Sequence, residues 1–328
     1  MIDTVVAQTP RESHLTLTDE EREELGLVAI ELADTAPQLV DDSKWLHAAR
    51  ILSGRLPLRL RELIRAYSHD PGQDGLLVLR NLPVDESALP PTPSAPESVQ
   101  RTSTTEASVA ALVSLQLGEM LAFRSEKQGA LVQDVVPVRG RERAQSNMGS
   151  RNLEMHTENA FHPHRPDYVA LLCLRGDHEG SAGTVVSSIR RALPLLPESA
   201  KRVLFESRFT TKAPPSFGRG NGQAALCRVL EGDIEDPDVR VDFHTTQPCD
   251  DEARQALEHL KNAFSEVKRN VVLHSGDLAV LDNRIAIHGR THFTPRYDGR
   301  DRWLHRTFTH RDHRRSRPSR PGNGCVLS

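Results

Sequence analysis

Apolar residues recur with helical spacing through residues 15–68. The sequence Thr-Asp-Glu-Glu at 18–21 supplies an N-cap and an acidic first turn, and Leu25 begins the apolar stripe that follows. Ser43 is predicted to cap a second helix, and a third follows the interruption at Pro57. We expect these helices to cover one face of a sheet.

Three later stretches have the same helical pattern. One spans residues 105–121, one follows Pro197, and one spans residues 250–268. Ala253 and Phe264 lie on the apolar face of the last stretch. Between these stretches lie segments of strand character, so the pattern indicates a β-structure decorated by helices.

Short, continuous apolar runs predict buried strands at residues 75–80, 130–136 and 168–174. Residues 276–290 form an apolar run, a turn at Asp282-Asn283 and a second short run that ends at His288. This pattern is typical of two strands joined by a tight turn. It places His288 at the end of a strand.

Two stretches predict loops. Prolines at four positions within residues 90–97 exclude regular structure there. Residues 139–151 are rich in charge and lead directly into the segment that contains His156. This second loop is either a lid over a nearby site or an ordinary surface loop, and the sequence favours neither alternative.

Length and charge favour a single-domain protein that acts on a small molecule. The 328 residues contain no Gly/Ser-rich or Pro-rich linker that divides them cleanly, so we expect one domain over residues 1–328, with flexible tails at 1–14 and 312–328. The formal net charge of −3 argues against general nucleic-acid binding. A small-molecule enzyme fits this balance better.

Cysteine usage and hydropathy predict a soluble, cytoplasmic protein. The four cysteines are scattered and form no CxxC pair. No run of about eighteen apolar residues occurs, and the N-terminus has no basic region followed by a long apolar one. The last four residues, starting at Cys325, resemble a prenylation box, but nothing else in the sequence indicates a membrane.

Two separate segments suggest a metal site. His156 and Glu158 are two residues apart, so in an extended segment their side chains leave the same face. With His288 they complete the two-histidine, one-carboxylate set that holds iron(II) and leaves three positions open. Residues 301–308 alternate as a strand and place Arg302 and Arg306 on one face, which indicates carboxylates to be bound there.

These motifs resemble the clavaminate synthase-like iron(II)/2-oxoglutarate oxygenases. The resemblance extends from roughly residue 15 to 325 and is greatest to the L-asparagine oxygenases of nonribosomal lipopeptide pathways. The segments that carry it are 126–137, 156–174, 214–217 and 282–308.

The resemblance implies a fold and a set of cofactors. The fold would be mainly β with flanking helices, a double-stranded β-helix or jelly roll related to the cupins. Fe(II) would be bound by His156, Glu158 and His288. Arg302 would bind the far carboxylate of 2-oxoglutarate, and Thr184 is a weaker candidate for a hydroxyl donor to the same carboxylate. With O2, such enzymes convert 2-oxoglutarate to succinate and CO2 and hydroxylate an unactivated C–H bond of the substrate.

The resemblance also implies a small-molecule substrate, a free L-amino acid hydroxylated at Cβ. Glu126 would pair with its α-ammonium group and Arg306 with its α-carboxylate. Asn147 and Asp242 would bind a side-chain amide, since a carboxylate accepts and an amide nitrogen donates. L-Asparagine is the expected substrate, and enzymes of a nonribosomal peptide pathway are the expected indirect partners.

Several alternatives stay open at this point. Asp242 could neutralise a cation instead, which would make the protein a 3- or 4-hydroxylase of arginine or lysine, and glutamine would need the same groups with more room. His244 stands where the arginine enzymes carry a second acid, which favours an amide. A zinc hydrolase on the same three ligands would leave Arg302 and Arg306 unexplained. A non-catalytic binding protein would not need the triad.

Overall fold

The computed structural model of the protein describes residues 13–214, 217 and 224–328. Most of the expected N-terminal tail, residues 1–12, lies outside the described residues, as do residues 215 and 216 of the segment 214–217. His14 already belongs to a short strand that pairs in parallel with residues near Val78.

Helices and strands contribute comparably to the fold. The α-helices are α1 (Asp19–Ala33), α2 (Ser43–Leu52), α3 (Leu58–His69), α4 (Thr105–Leu115), α5 (Ile189–Ala192), α6 (Glu198–Leu204) and α7 (Asp251–Val267). The strands of the first half are β1 (His14–Thr16), β2 (Leu76–Arg80), β3 (Glu119–Phe123), β4 (Gln133–Val135), β5 (Leu153–His156) and β6 (Tyr168–Arg175). The later strands are β7 (Gly183–Ser188), β8 (Phe209–Thr211), β9 (Leu230–Gly232), β10 (Pro237–Val239), β11 (Thr246–Pro248), β12 (Arg269–Val272), β13 (Leu278–Asp282), β14 (Ala286–Arg290), β15 (Trp303–His310) and β16 (Val326–Leu327).

Two sheets form the centre of the molecule, a larger mixed sheet and a smaller antiparallel one. The larger has the order β1-β2-β13-β6-β15-β3-β16, and β4 also pairs with β15. The smaller has the order β12-β7-β14-β5. The strands β9 with β10 and β8 with β11 form two short antiparallel pairs outside these sheets.

The apolar run of β6 explains the layering. Val169 and Leu171 face a core shared with Val186 and Ala286 of the smaller sheet, so the two sheets pack against each other. The alternate side chains of β6, such as Leu172, belong to a second core that includes α1 to α4. Because successive side chains of a strand point to opposite faces, a strand buried on both sides is apolar throughout.

The outer face of the smaller sheet is covered in turn by α5, α6 and α7. Ile287 of β14 packs there in one cluster with Leu204 and Leu260. The predicted combination of β-sheets with flanking helices is therefore confirmed, with helices on both outer faces. The turn at Asp282-Asn283 and the two strands beside it are confirmed as well, although β14 continues to Arg290.

Helix starts follow the predicted capping chemistry. The Thr18 hydroxyl accepts from the backbone N–H of Glu21, and the Glu21 carboxylate accepts from the backbone N–H of Thr18, which is a capping box. The cap of α2 is Asp42 rather than Ser43, because the Asp42 side chain accepts from the N–H of Lys44 at 2.8 Å.

The predicted helix over residues 105–121 is wrong in its second part, since α4 ends at Leu115 and the chain enters β3. Gly118 separates the two with φ +154°, and a Cβ atom there would lie 2.2 Å from the carbonyl oxygen of His310. Pairing of β3 with β15 brings these backbones together. Apolar spacing alone did not distinguish a helix from a helix that turns into a buried strand.

The expectation of a flexible C-terminal tail is also overturned. Residues 313–328 fold back on the larger sheet, where Val326 pairs with Ala122. The buried Arg320 side chain donates to the carbonyl oxygen of His313 at 2.7 Å and so ties the tail to itself, while Arg315 pairs with Asp167 outside it. Cys325, the first residue of the apparent prenylation box, is buried. In the described part of the chain, no helix is long and apolar enough to cross a membrane.

Candidate functional site

A cavity of about 600 Å³ opens between the two sheets and the loop 139–151. All nine residues that the sequence analysis proposed for the site line it. They are Glu126, Asn147, His156, Glu158, Thr184, Asp242, His288, Arg302 and Arg306. Residues as far apart in sequence as Glu126 and Arg306 are therefore brought to one space.

The candidate metal ligands meet where β5 pairs with β14. His156 and His288 are direct partners in the antiparallel register, and their ring centroids are 4.6 Å apart. Glu158 follows the end of β5, and its carboxylate lies 3.5 Å from Nε2 of His288. One ligand atom from each residue lies within 4.8 Å of the others, which is close enough for one ion.

Asn283 fixes the position of Glu158. Its side-chain oxygen accepts from the backbone N–H of Glu158 at 2.7 Å, and its amide nitrogen donates to the carbonyl oxygens of Glu158 and Pro166. Asn283 lies in the turn between β13 and β14, so the same turn positions Glu158 and starts the strand of His288. Sequence reasoning identified the turn but not this function, because an Asn-containing turn carries no sign of a distant partner.

Each histidine can offer a ring nitrogen to a metal. The Nδ1 atom of His156 lies 2.9 Å from the carbonyl oxygen of Glu154, which can only accept, so Nδ1 carries a proton and Nε2 is the atom that faces a metal. Burial, together with the neighbouring His156, lowers the pKa of His288, which keeps this ring neutral. Two imidazoles and one carboxylate fit a divalent iron ion.

Glu158 stays ionised although it is buried. Burial by itself would raise its pKa, but the positive charge of Arg306 and the contact with His288 hold the pKa of Glu158 well below its usual range. Arg306 donates from Nη1 to both Glu158 oxygens at 3.2 Å. Glu158, the third candidate ligand, is therefore ionised without a bound metal.

Arg306 has two further partners. Its Nη2 donates to Glu126, and its Nε donates to the side-chain oxygen of Gln133 at 3.1 Å. The second oxygen of Glu126 accepts from Asn159 at 3.1 Å. Burial raises the pKa of Glu126 and Arg306 opposes that shift. Gln133 was missed by sequence reasoning, since a single glutamine in a short strand gives no signal.

Two further arginines make part of the cavity lining cationic. Arg302 and Arg290 are both buried, and their guanidinium carbons lie 5.9 and 5.8 Å from the ring centroid of Phe293. Neither forms an ion pair with a carboxylate among residues 13–214, 217 and 224–328. Burial lowers the pKa of Arg302, and burial with the charge of Arg302 lowers the pKa of Arg290 to about 9. Thr184 lies opposite Arg290 in the register of β7 and β14.

Asp242 and Asn147 line the cavity from two loops. Asp242 forms an isolated bridge with His156, and one of its carboxylate oxygens accepts from the backbone N–H groups of His244 and Thr245 at 2.8 and 3.2 Å. Asn147 belongs to loop 139–151, which is attached by the hydrogen bond from the N–H of Val138 to the carbonyl oxygen of Met148. Whether this loop acts as a lid stays a prediction.

Comparison with known proteins gives consistent results. Residues 59–308 match the family described as taurine catabolism dioxygenase TauD, TfdA family. The chain is 47% identical to L-asparagine oxygenase of Streptomyces coelicolor, covering 95% of this chain and 94% of that protein. It is 37% identical to clavaminate synthase 2 of Streptomyces clavuligerus, covering 89% and 90%. A crystal structure of asparagine oxygenase with Fe(II), 2S,3S-3-hydroxyasparagine and succinate has a TM-score of 0.94 at 47% identity, covering 96% and 99%.

Replacing Asn283 tests its position beneath Glu158. In Asn283→Ala, three buried hydrogen bonds are lost, so we expect the free energy of unfolding to fall by about 3 kcal/mol and the affinity for Co(II) to fall by about tenfold. Chemical denaturation and metal titration measure the two effects. Asn152→Ala, which removes an exposed amide that accepts from the N–H of His292, is the control and should change neither quantity appreciably. Unchanged metal affinity in Asn283→Ala would contradict this role.

Proposed function

The chain belongs to the TauD/TfdA family of dioxygenases, and from this premise we propose that it hydroxylates free L-asparagine at Cβ to give 3-hydroxyasparagine. The predicted class, an iron(II)/2-oxoglutarate-dependent dioxygenase, is confirmed. Its cofactors are Fe(II), 2-oxoglutarate and O2. The substrate proposal is carried by one cavity in which a metal-binding triad, two buried arginines that form no ion pair with any carboxylate the structure describes, and the pair Asn147 and Asp242 meet.

His156, Glu158 and His288 would hold the iron. When bound, iron couples the conversion of 2-oxoglutarate and O2 to succinate and CO2 with the insertion of one oxygen atom into a substrate C–H bond. The protein's own residues then have two tasks, to bind both organic molecules and to place one C–H bond nearest the metal. The ionised Glu158 and the neutral His288 support this ligand assignment.

Arg302 would bind the far carboxylate of 2-oxoglutarate. A buried guanidinium without a protein carboxylate is costly, and a ligand carboxylate would compensate its charge in a bidentate pair. The buried hydroxyl of Thr184, which also lines the cavity, is available as a further donor.

Asparagine would bind as a zwitterion and break the ion pair between Glu126 and Arg306. Its α-carboxylate would take the place of Glu126 on Arg306, and the released Glu126 would accept from its α-ammonium group. One buried ion pair is thereby replaced by two, and no buried charge is left without a partner. A substrate tethered to a carrier as a thioester has no α-carboxylate and could not make this exchange, which supports a free amino acid.

Asp242 and Asn147 would recognise the side-chain amide. The N–H groups of His244 and Thr245 hold one oxygen of Asp242, which leaves the other to accept from the substrate NH2 group. Asn147 can donate to the amide oxygen. Aspartate would place its carboxylate against that of Asp242, and this repulsion disfavours it.

The remaining finer assignments are also proposals. The two packed sheets would correspond to a double-stranded β-helix, as in the structurally similar asparagine oxygenase. We expect a single domain in the cytoplasm, where free amino acids and 2-oxoglutarate are available. 3-Hydroxyasparagine would be a building block for nonribosomal peptide enzymes.

A coupled assay tests the proposed function. Anaerobically iron-loaded protein receives 2-oxoglutarate, O2 and each of the twenty amino acids, and succinate and products with a mass increase of about 16 are measured. We expect iron-dependent succinate formation that is stimulated by L-asparagine alone. Stimulation by arginine, lysine or glutamine instead would overturn the substrate, and succinate formation that needs no iron would overturn the ligand assignment.

The substitution Asp242→Asn tests amide recognition. Asn can donate where Asp only accepts, so we expect the ratio of kcat/KM for aspartate to that for asparagine to rise by about 100-fold. The exposed Asp233→Asn is the matched control and should leave the ratio unchanged. An unchanged ratio in Asp242→Asn would mean that this carboxylate does not face the substrate amide.

A further inference from the structure

Arg290 belongs to the cationic part of the cavity lining and also contacts loop 139–151. It follows the candidate ligand His288 by two residues on β14, so both side chains leave the same face of the strand. Its side chain is buried and lines the cavity. In the sequence, Arg290 lies within the segment 282–308 that carries the family resemblance, and no function was predicted for it.

The guanidinium of Arg290 holds the loop by two carbonyl oxygens. Nη1 donates to Ser146 at 3.3 Å and Nη2 donates to Arg151 at 3.2 Å. The loop is packed closely around this group, since a Cβ atom at Gly149 would lie 3.2 Å from Nη2 of Arg290 and 2.2 Å from the carbonyl oxygen of Ala144. The two carbonyls flank the segment that carries Asn147.

These contacts leave Arg290 incompletely satisfied. Its Nε is buried and has no hydrogen-bond partner in the part of the chain that the structure describes. Carbonyl oxygens do not neutralise a charge, and a second buried cation, Arg302, lies against the same ring of Phe293. Two buried positive charges that repel each other would attract one anion more strongly than either would alone.

We propose that Arg290 is a positioning residue that couples the binding of 2-oxoglutarate to the order of loop 139–151 and thus to the placement of Asn147. Its positive charge adds to the attraction of Arg302 for the far carboxylate of 2-oxoglutarate. When that carboxylate fixes the guanidinium of Arg290, its two Nη groups hold the loop carbonyls of Ser146 and Arg151 in place. The inference rests on the proposed site of 2-oxoglutarate at Arg302. By linkage, L-asparagine would in turn raise the affinity for 2-oxoglutarate.

Two substitutions separate the charge of Arg290 from its forked geometry. Arg290→Lys keeps the charge but cannot reach both carbonyls in the same way, whereas Arg290→Met removes both. The exposed Arg300→Met, in the turn before β15, is the matched control. All proteins are loaded with Co(II) without O2, so that no turnover occurs.

Two quantities are measured for each protein, the Kd for 2-oxoglutarate by calorimetry and the amide hydrogen exchange of residues 141–151 with and without it. In the wild type and in Arg300→Met, we expect 2-oxoglutarate to slow exchange in this loop by at least about threefold. In Arg290→Met, the Kd should rise about tenfold and the protection should disappear. In Arg290→Lys, the Kd should rise less than about threefold, yet the protection should still disappear.

A purely structural role would give a different result. Loop exchange would then be faster in both variants by the same factor with and without 2-oxoglutarate, and the Kd would not change, which would overturn the inference. Wild-type protein that binds 2-oxoglutarate without any change in loop exchange would also overturn it while leaving the proposed function intact. Wild-type protein that does not bind 2-oxoglutarate at all would overturn both.

Discussion

The buried guanidinium of Arg306 is the interaction on which the site depends. It bonds to Glu158, Glu126 and Gln133 and holds two carboxylates together in the interior. An ionised carboxylate is expensive to bury, by several kcal/mol, unless it is paired and hydrogen-bonded. Without Arg306, the pKa of Glu158 would rise, and the carboxylate would be less available as a ligand. The ligand set therefore requires the arginine as much as the histidines.

The larger sheet places this arginine. β15 pairs with β6 on one side and with β4 and β3 on the other, so its side chains are fixed from both edges. Arg306 and Leu304 face the cavity, while His305 and Trp303 face the opposite side. The strand thus brings a cation to the metal-binding triad from one sheet, and β5 and β14 bring the triad from the other.

The cavity lining contains charges of both signs. Arg302 and Arg290 are buried cations near Phe293, the triad lies beside Arg306 and Glu126, and Asp242 adds a carboxylate. A dicarboxylate and a zwitterion are oriented by such an arrangement before they make close contacts. Since oxidation takes place at the C–H bond nearest the metal, this orientation determines the product.

The sequence predicted the members of the site better than their connections. His156 and Glu158 were proposed from their two-residue spacing and His288 from its place at the end of a strand, and the structure brings all three to one cavity. The contacts of Gln133 and Asn283 with Arg306 and Glu158 could not be predicted, because they depend on register between strands far apart in the chain.

Two segments of the fold were predicted wrongly for related reasons. The end of helix α4 depends on the close approach of Gly118 to the carbonyl of His310, and the C-terminal segment is held by pairing of Val326 with Ala122. Both are contacts between segments remote in sequence. Local periodicity and charge contain no information about them, so the sequence pattern favoured a longer helix and a flexible tail.

In the proposed complex, an amino acid separates Glu126 from Arg306 while Glu158 keeps its hydrogen bonds to Arg306. We would therefore determine a crystal structure of the anaerobic complex with Fe(II), 2-oxoglutarate and L-asparagine. We predict the α-carboxylate on Arg306, the α-ammonium group on Glu126, and an unchanged contact between Arg306 and Glu158. Asparagine bound with the Glu126–Arg306 hydrogen bond intact would contradict this arrangement.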